Sequence, residues 1–475
     1  AKTTRHAVTI NGRRVPYTAT AGTLPVHDSI GNPIAAVFYV YYERSDVRDK
    51  ARRPLAISFN GGPGSSSAWM HIGYTGPKRL RIDAEGHPVQ PYGVQDNPES
   101  ILDVADIVFV DPVNVGYSRP VEGAERRHFF GVNQDIDYLG RWIELFVTRQ
   151  QRWLSPKFLI GESYGTTRVA GLAQRLQAMH KMYLNGVVLV SPTSLGVDQA
   201  GPVRQALYLP HYAATAWYHG VLGGELQRRD LEQLLPEVER FTLQEYLPAL
   251  AKGGFLPDAE RRQIAERVAH YAGVTPAFVL NHNLAVPISS WRKELLREQA
   301  LTVGRLDARY QGVDREAAGM SYDYDAALSA WNHAFAPAIN DYLRRDLGYE
   351  TEVPYILIGG AVHPWDRSND RTGENLRQAM AENPFLKTLV QAGYYDGGTD
   401  YFATQYTMWQ LDPSGRMRDR FRFRAYRSGH MMYLRDADLA TSNQDIRGFI
   451  RWATPAEGAP ALWGRREAAN DGAGR

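Results

Sequence analysis

The pentapeptide Gly-Glu-Ser-Tyr-Gly at 161–165 constrains the fold of this chain more than any other stretch. It lies between the apolar run KFLI and the segment TTRVAGLAQRLQAM, whose apolar residues recur at helical spacing. A strand must therefore turn into a helix within a few residues, and the two glycines permit the backbone conformations of so sharp a turn. Strands that alternate with helices form parallel sheets covered by helices, so the sequence predicts an α/β fold.

The rest of the chain has the pattern of one sheet with an insertion. Short apolar runs typical of buried strands are AVFYVYY, PLAISF, DIVFVD, KFLIG and GVVLVS, and two later ones are LKTLVQAGYYD and RFRFRAYRSGH. Between them the pattern is helical without strands. We therefore expect a mostly parallel sheet in two parts, residues 1–196 and 351–475, with a helical insertion at 197–350. A closing helix is predicted near NQDIRGFIRWA, followed by a frayed tail, RREAANDGAGR.

Composition excludes several classes of function. The 54 Lys and Arg residues almost balance the 52 Asp and Glu residues, which argues against nucleic acid or an anionic membrane as a partner. No apolar run approaches the roughly 18 residues of a membrane helix, and the absence of cysteine excludes disulfides and thiol catalysis. We expect no metal and no cofactor. A periplasmic or secreted location is expected, with a cytoplasmic one as the alternative, and the oligomeric state cannot be read from the sequence.

Ser163 is the candidate nucleophile, because a serine in G-x-S-x-G between a strand and a helix projects its hydroxyl from the turn. Such a serine needs a base and an orienting acid, which follow it in that fold class at the ends of later strands, acid before base. The two late strands end near Asp396 and Asp400 and near His430. Aspartates after strands are more often turn or cap residues. We prefer Asp396 as the orienting acid because it directly follows the apolar run.

The glycine-rich loop SFNGGPGSSSA at 58–68 follows a buried strand. Attack on an acyl carbonyl creates an oxyanion, which N–H donors stabilise. In hydrolases of this class one donor is the N–H after the nucleophile, here that of Tyr164, and the other comes from a loop in this place. A phosphate-binding loop would need Gly-Lys-Ser/Thr, which is absent, and a flexible linker is not expected directly after a buried strand.

Five segments resemble the motifs of the serine carboxypeptidase family, peptidase family S10, and in particular its bacterial branch. They occur in the family's order: NGGPGSSS, DPVNVGYS, GESYGTTR, GYYDGGTD and SGHMMY. The segment YTATAGTLPVHDSIGNPIAAVFYVYY resembles the family's opening strands, and the likeness extends over about residues 6–455. The resemblance implies an α/β-hydrolase fold with a helical cap. It also implies an exopeptidase that removes single residues from the free C-terminus of peptides through an acyl-enzyme.

The resemblance also implies a role for each matching residue. The triad would be the nucleophile Ser163, the base His430 and the orienting acid Asp396. The other implied groups are the oxyanion-hole N–H groups of Gly62 and Tyr164, the residues that hold the substrate's terminal carboxylate, Asn60, Gly61 and Glu162, and a leaving-residue pocket that includes Met431.

Glu162 bears on the pH dependence of the reaction. A carboxyl group binds a carboxylate only when one of the two carries a proton, because two like charges in contact repel. We therefore expect peptide hydrolysis to be best at acid pH, with a KM that rises with pH, and ester hydrolysis to be less affected. The alternative is that Glu162 caps the helix that it precedes.

Four positions depart from the family's pattern. Tyr74 stands where many eukaryotic relatives have a glutamate that supports the carboxylate-binding glutamate, and Ser65 stands where a cysteine is frequent. Asn114 replaces a usual glycine, and Asp400 replaces a proline that is common in bacterial relatives. None of these departures touches the proposed triad.

Two other functions remain open. The first is an esterase or acyltransferase on the same scaffold, because a fold does not fix function. The second is a non-catalytic binding protein that has kept the fold. Aromatic residues of the insertion could line the pocket for the side chain before the scissile bond, although aromatics at helical spacing more often belong to a core. These residues are Tyr208, Tyr212, Trp217 and Tyr218.

Overall fold

The computed structural model of this chain describes residues 1–463, so the predicted frayed tail lies outside the described residues. The strands are β1 Lys2–Ile10, β2 Arg13–His27, β3 Pro33–Arg44, β4 Leu55–Phe59, β5 Lys78–Leu80, β6 Val94–Asp96, β7 Asp106–Val110, β8 Arg119–Pro120, β9 Lys157–Glu162, β10 Gly186–Val190, β11 Thr302–Val303, β12 Gln311–Gly312, β13 Lys387–Gly393 and β14 Phe421–Tyr426.

Helices separate most of the later strands. They are α1 Val132–Arg149, α2 Tyr164–His180, α3 Pro202–Leu207, α4 Leu209–Tyr218, α5 Gly224–Arg228, α6 Leu231–Phe241, α7 Leu247–Lys252, α8 Asp258–Ala272, α9 Pro276–Asn281, α10 Ile288–Glu294, α11 Ala326–Asp341, α12 Thr372–Glu382, α13 Tyr401–Leu411 and α14 Asp436–Ala453.

One large mixed sheet forms the centre of the molecule. Its strand order is β1-β2-β3-β7-β4-β9-β10-β13-β14, and β8 pairs with β3 at the side. The strands from β7 to β14 in that order run parallel to their neighbours, whereas β1, β2 and β3 pair antiparallel. Every strand expected from the apolar runs is present. The apolar-run pattern did not predict β1, which forms a hairpin with β2 through Asn11 and Gly12, both with positive φ.

Helices cover both faces of the sheet, and the strand side chains alternate between the two layers as the pleat requires. In β10, Val187 and Leu189 belong to the apolar cluster shared with α1, α2 and α12. Val188 and Val190 belong instead to the cluster shared with α11 and α14. Because both faces are buried, these strands read as continuous apolar runs in the sequence.

The region predicted as an insertion is mainly helical. Helices α3 to α10 share a third apolar cluster, which includes Tyr212 and Trp291, stacked with ring centroids 4.2 Å apart. The expectation that this region has no strand was wrong, because β11 and β12 form a short antiparallel pair. The following helix α11 packs against the main sheet through Trp331 and Phe335. The boundaries at 196 and 350 remain predictions.

The parallel strands end at one edge of the sheet, where the loops that follow them meet. Four of these strand ends carry the predicted site residues: the ends of β4, β9, β13 and β14. The fold thus brings together segments that are more than 300 residues apart in the sequence, from Asn60 to His430.

Candidate active site

Ser163 occupies a sharp turn between β9, which ends at Glu162, and α2, which begins at Tyr164. Its φ of 57° and ψ of −127° are a conformation that non-glycine residues rarely adopt, and such strain is concentrated at functional sites. The backbone N–H of Ser163 donates to Val190 O over 2.9 Å. Glu162 and Tyr164 are buried, whereas Ser163 is partly exposed. Within residues 1–463 its hydroxyl makes no hydrogen bond, so the structure does not join it directly to the candidate base His430.

His430 and Asp396 form a hydrogen-bonded pair. His430 Nδ1 donates to Asp396 Oδ2 over 2.6 Å, and both side chains are buried. The backbone of His430 is held at two points, because its N–H donates to Leu306 O over 2.7 Å and its carbonyl accepts from Ser191 Oγ over 2.6 Å. The pair has the arrangement of a base whose ring is oriented by an acid.

The loop after Asp396 stabilises the ionised carboxylate. Gly398 N and Thr399 N donate to Asp396 Oδ1 over 2.7 and 3.0 Å, and Thr399 Oγ1 lies 2.8 Å from Oδ2. Burial acts to raise the pKa of Asp396, but His430 and the Thr399 donors together lower it. Burial likewise acts to lower the pKa of His430, and Asp396 raises it overall. The aspartate is thus held in its ionised form, and its charge stabilises the imidazolium that forms when His430 accepts a proton.

The end of β10 connects the three candidate residues. Its last residue, Val190, accepts from Ser163 N, and the next residue, Ser191, donates its hydroxyl to the His430 carbonyl. Thr399 Oγ1, which also contacts Asp396, lies 3.0 Å from Ser191 O. The loops that carry Ser163, Asp396 and His430 therefore converge on one strand end.

Asp400, the other aspartate considered from the sequence, has a different environment. Its side chain accepts from Ala403 N over 2.8 Å and caps α13, and its second oxygen lies 3.0 Å from Arg204 Nη1. It makes no hydrogen bond to His430. The structure thus gives Asp400 the helix-capping role that is common for an aspartate after a strand.

The glycine loop lies directly against the turn at Ser163. A Cβ added to Gly61 would stand 2.4 Å from Tyr164 N and 2.7 Å from Glu162 O, so only glycine fits there. Gly62 has a φ of +103°, which also favours glycine. In the described part of the chain, no acceptor takes the N–H of Gly62 or of Tyr164. Both groups thus remain available to an oxyanion.

Glu162 is a buried carboxyl group beside the candidate pair. Its Oε1 accepts from Asn60 Nδ2 over 2.9 Å, and its Oε2 accepts from the Tyr433 hydroxyl. Burial raises the pKa of Glu162 to about 7. The side chain does not cap α2, which has no side-chain cap hydrogen bond at Ser163. The capping alternative is therefore wrong, and a carboxyl group that is still partly protonated near neutral pH lies next to Ser163.

Tyr433 was not identified as a site residue from the sequence. The available signal was its place in SGHMMY, three residues after His430, within a short turn at Met432–Leu434. Met431 lies at the start of this turn and is 4% exposed, packed in the cluster that includes α14. The motif therefore contributes Tyr433 as well as the histidine to the site.

A buried ion pair supports the site from within α2 and was also not identified. Arg168 Nε donates to Asp135 Oδ2 over 2.7 Å, and its Nη1 donates to Asn60 O over 2.6 Å. The guanidinium also lies 5.4 Å from the ring centre of Tyr164. A charged residue five positions after the candidate nucleophile, among apolar helix residues, was the available signal. The pair fixes the start of the glycine loop relative to α2.

The insertion's aromatic side chains are mostly part of its core. Tyr212 is fully enclosed, and its hydroxyl donates to Val286 O over 3.0 Å. Tyr208 stacks on Tyr212, and Trp217 donates to Arg229 O over 2.9 Å. Tyr218 is 40% exposed and packs on Tyr395. Tyr212 thus belongs to the core of the insertion.

Two further features bear on the class of protein. Among the described residues, no helix is both long and apolar enough to cross a membrane. The same residues contain no group of three or more His, Asp or Glu side chains placed to hold a metal ion.

Comparison with known proteins identifies similar sequences. The family model described as serine carboxypeptidase matches residues 12–233. Serine carboxypeptidase-like 34 of Arabidopsis thaliana is 23% identical over 421 residues, which cover 84% of this chain and 75% of that relative. Serine carboxypeptidase-like 31 of the same plant is 27% identical over 226 residues, and this chain spans 40% of its length. These matches support the serine carboxypeptidase family, but not its bacterial branch, because the relatives are plant and fungal proteins.

A solved structure supports the fold. The prohormone-processing carboxypeptidase Kex1(delta)p of Saccharomyces cerevisiae aligns with a TM-score of 0.56 at 15% identity, over 92% of this chain and 91% of that one. At that identity the likeness concerns the fold alone. The predicted α/β-hydrolase fold is confirmed.

Proposed function

We propose that this chain is a serine carboxypeptidase that hydrolyses the last peptide bond of a peptide with a free C-terminus. The observation that carries the proposal is the buried carboxyl of Glu162, held by Asn60 and Tyr433 next to Ser163. A protonated carboxyl in that place can bind the terminal carboxylate of a substrate. The resemblance of five motifs and the family match to residues 12–233 support the same activity.

The proposed reaction assigns each group one task. His430 removes the proton from the Ser163 hydroxyl as its oxygen attacks the carbonyl carbon of the last peptide bond, and Asp396 orients the imidazole. The N–H groups of Gly62 and Tyr164 bind the resulting oxyanion. His430 then gives its proton to the leaving amine, which releases the terminal residue and leaves an acyl group on Ser163. Water attacks this ester with His430 again as the base and restores the hydroxyl.

The pH dependence follows from the terminal-carboxylate site. Burial raises the pKa of Glu162 to about 7, so its proton is lost as the pH passes through that value. Ionised Glu162 repels the substrate carboxylate, and the KM for peptides should therefore rise above about pH 7. An ester substrate without a free carboxylate should be less affected. We thus expect activity on peptides to be favoured at acid pH.

An esterase or acyltransferase on the same fold is the second candidate, and a non-catalytic binding protein is the third. The carboxyl group of Glu162 next to Ser163 favours the peptidase. It can bind the terminal carboxylate of a peptide, whereas an ester substrate without a free carboxylate has no use for it. The bacterial branch remains a proposal that rests on the five motifs. A periplasmic or secreted location, with a cytoplasmic one as the alternative, is likewise a proposal, and peptides with a free C-terminus are the proposed substrates.

A comparison of free-acid and amidated peptides tests this function. The protein and its Ser163→Ala variant are incubated from pH 4 to pH 8 with N-blocked dipeptides that carry a free or an amidated C-terminus. We expect release of the last residue from the free-acid peptide only, and a loss of this release in the variant by a factor on the order of 10⁴ or more. Released amino acid is measured by chromatography.

Other outcomes favour the alternatives. Equal rates on the two peptides would identify a hydrolase that does not require a terminal carboxylate, and cleavage of simple esters alone would favour the esterase. Failure of a fluorophosphonate to label Ser163 would favour the binding protein.

A further inference from the structure

Tyr433 makes a buried contact with Glu162 to which the proposed reaction assigns no task. The tyrosine is fully buried, and its hydroxyl donates to Glu162 Oε2. The other carboxyl oxygen accepts from Asn60 Nδ2 over 2.9 Å. Both oxygens of Glu162 thus have a neutral donor, and each donor comes from a different strand end.

The orientation of both donors is fixed by their neighbours. Asn60 Oδ1 accepts from Met70 N over 2.8 Å, and because a backbone N–H can only donate, Asn60 Nδ2 must face Glu162. The ring of Tyr433 stacks on that of Tyr74, with centroids 4.5 Å apart and planes 11° from parallel. Gly73 lies so close that an added Cβ would stand 3.0 Å from the Tyr433 ring. The hydroxyl is therefore held toward the carboxyl group.

Burial raises the pKa of Glu162, and protonated His430 is a neighbouring cation that acts against this rise. In the described part of the chain neither lysine nor arginine pairs with it. The titratable groups that face it are Tyr433, His430, Asp396 and Tyr74. Asp396 is bound to His430, and the Tyr74 hydroxyl donates to Gln391 Oε1 over 2.7 Å. No second carboxyl group therefore shares the proton of Glu162.

We propose that Tyr433 is a positioning residue that orients Glu162 and sets the pH range over which the site accepts a substrate's terminal carboxylate. The inference rests on the proposed function. In this proposal Glu162 presents one proton to the substrate's carboxylate, and Tyr433 holds Glu162 in place.

The direction of the effect follows from the hydrogen bond. A hydroxyl that donates to a carboxylate stabilises the ionised form of Glu162, which repels the substrate. Burial acts in the opposite sense and raises the pKa of Glu162 to about 7. Without the Tyr433 hydroxyl the protonated form would persist to higher pH. The strength of a hydrogen bond to a charged group corresponds to about one to two pH units.

Binding measurements in the Ser163→Ala background test the proposal, because no substrate is consumed. An N-blocked dipeptide with a free C-terminus is titrated by calorimetry from pH 5 to pH 9. We expect its Kd to rise about tenfold per pH unit above about pH 7, as for the loss of one proton. When Tyr433→Phe is added, the rise should begin about one to two pH units higher. An amidated dipeptide should show neither effect.

Tyr74→Phe is the matched control, since it also removes a buried hydroxyl from the same ring stack but one that does not contact Glu162. We expect the pH at which Kd begins to rise to be unchanged in this variant. If Kd begins to rise at the same pH in Tyr433→Phe as in the parent, the inference is overturned while the proposed function is left intact. No preference for the free-acid dipeptide in the parent would instead overturn the proposed function.

A measurement without any substitution at Tyr433 covers the case in which that variant does not fold. The logarithm of KM for the free-acid peptide, measured with the unaltered chain, should rise above about pH 7 with a slope of one. A slope of two would mean that binding requires two protons, which a single glutamate does not supply, and would overturn the inference.

Discussion

At the scale of single residues, the local environment of each aspartate decides which one can orient the imidazole of His430. Asp396 and Asp400 are both buried and only four positions apart. Asp396 accepts from His430 Nδ1 over 2.6 Å, whereas Asp400 caps α13 and lies 3.0 Å from Arg204. The same side chain thus has two different tasks within one loop.

Exchange of each aspartate for asparagine separates these tasks. We expect Asp396→Asn to lower kcat by a factor on the order of 10⁴, because the amide no longer favours the required tautomer of His430. Asp400→Asn should keep most of the activity, since asparagine also caps helices, but should lower the melting temperature because it leaves Arg204 without its charge partner. Steady-state kinetics and thermal unfolding measure the two effects. A similar kcat for both variants would contradict the assignment of Asp396.

At the scale of elements, the site depends on close approach between the loop after β4 and the start of α2. Added Cβ atoms would stand 2.4 Å from Tyr164 N at Gly61 and 2.9 Å from Phe59 O at Gly165. Arg168 of α2 ties the two segments together through its bond to Asn60 O. These glycines permit the close approach because they carry no side chain, and the proposed oxyanion hole requires that approach.

Gly61→Ala tests this packing. The added methyl group must push the loop away from Tyr164, so we expect kcat/KM to fall by a factor of about 10² to 10³, as for the loss of an oxyanion donor. Gly448→Ala in α14 is the control, because a Cβ there meets nothing within 4 Å, and alanine should stabilise the helix by about 0.5–1 kcal/mol. Wild-type kcat/KM in Gly61→Ala would show that the loop need not approach α2 so closely.

At the scale of the whole molecule, buried titratable groups make stability depend on pH in opposite directions. Burial raises the pKa of Glu162 to about 7 and lowers the pKa of His71 to about 3 and that of His211 to about 4. The unfolded chain loses the proton of Glu162 near pH 4.5, so this group reduces stability as the pH rises from there to about 7. Unfolded histidines gain protons below about pH 6.5, so His71 and His211 reduce stability as the pH falls.

Glu162→Gln isolates the glutamate's share. The rise of the Glu162 pKa from about 4.5 to about 7 corresponds to about 3 kcal/mol. Wild type loses this stability as the pH rises, and the variant does not. The free energy of unfolding of the variant minus that of wild type should therefore be about 3 kcal/mol larger at pH 8 than at pH 4.5. Denaturant unfolding at several pH values measures it. Glu225→Gln, at an exposed glutamate, is the control. Its free energy of unfolding relative to wild type should change by less than about 0.5 kcal/mol over the same pH range. An equal free-energy difference at pH 4.5 and pH 8 would contradict the raised pKa.

The sequence by itself determined the α/β class, the succession of the main strands along the chain and the position of Ser163 at a strand-to-helix turn, because continuous apolar runs and a G-x-S-x-G turn are local patterns. It also favoured Asp396 over Asp400 as the acid and pointed to His430, since each follows a late strand. The tertiary structure showed that Asp396 does meet His430, and it alone decided which groups hold Glu162. The contacts of Tyr433 and Arg168 join residues distant in the chain, and no local pattern specifies such a pairing. Packing at the end of the parallel strands creates it.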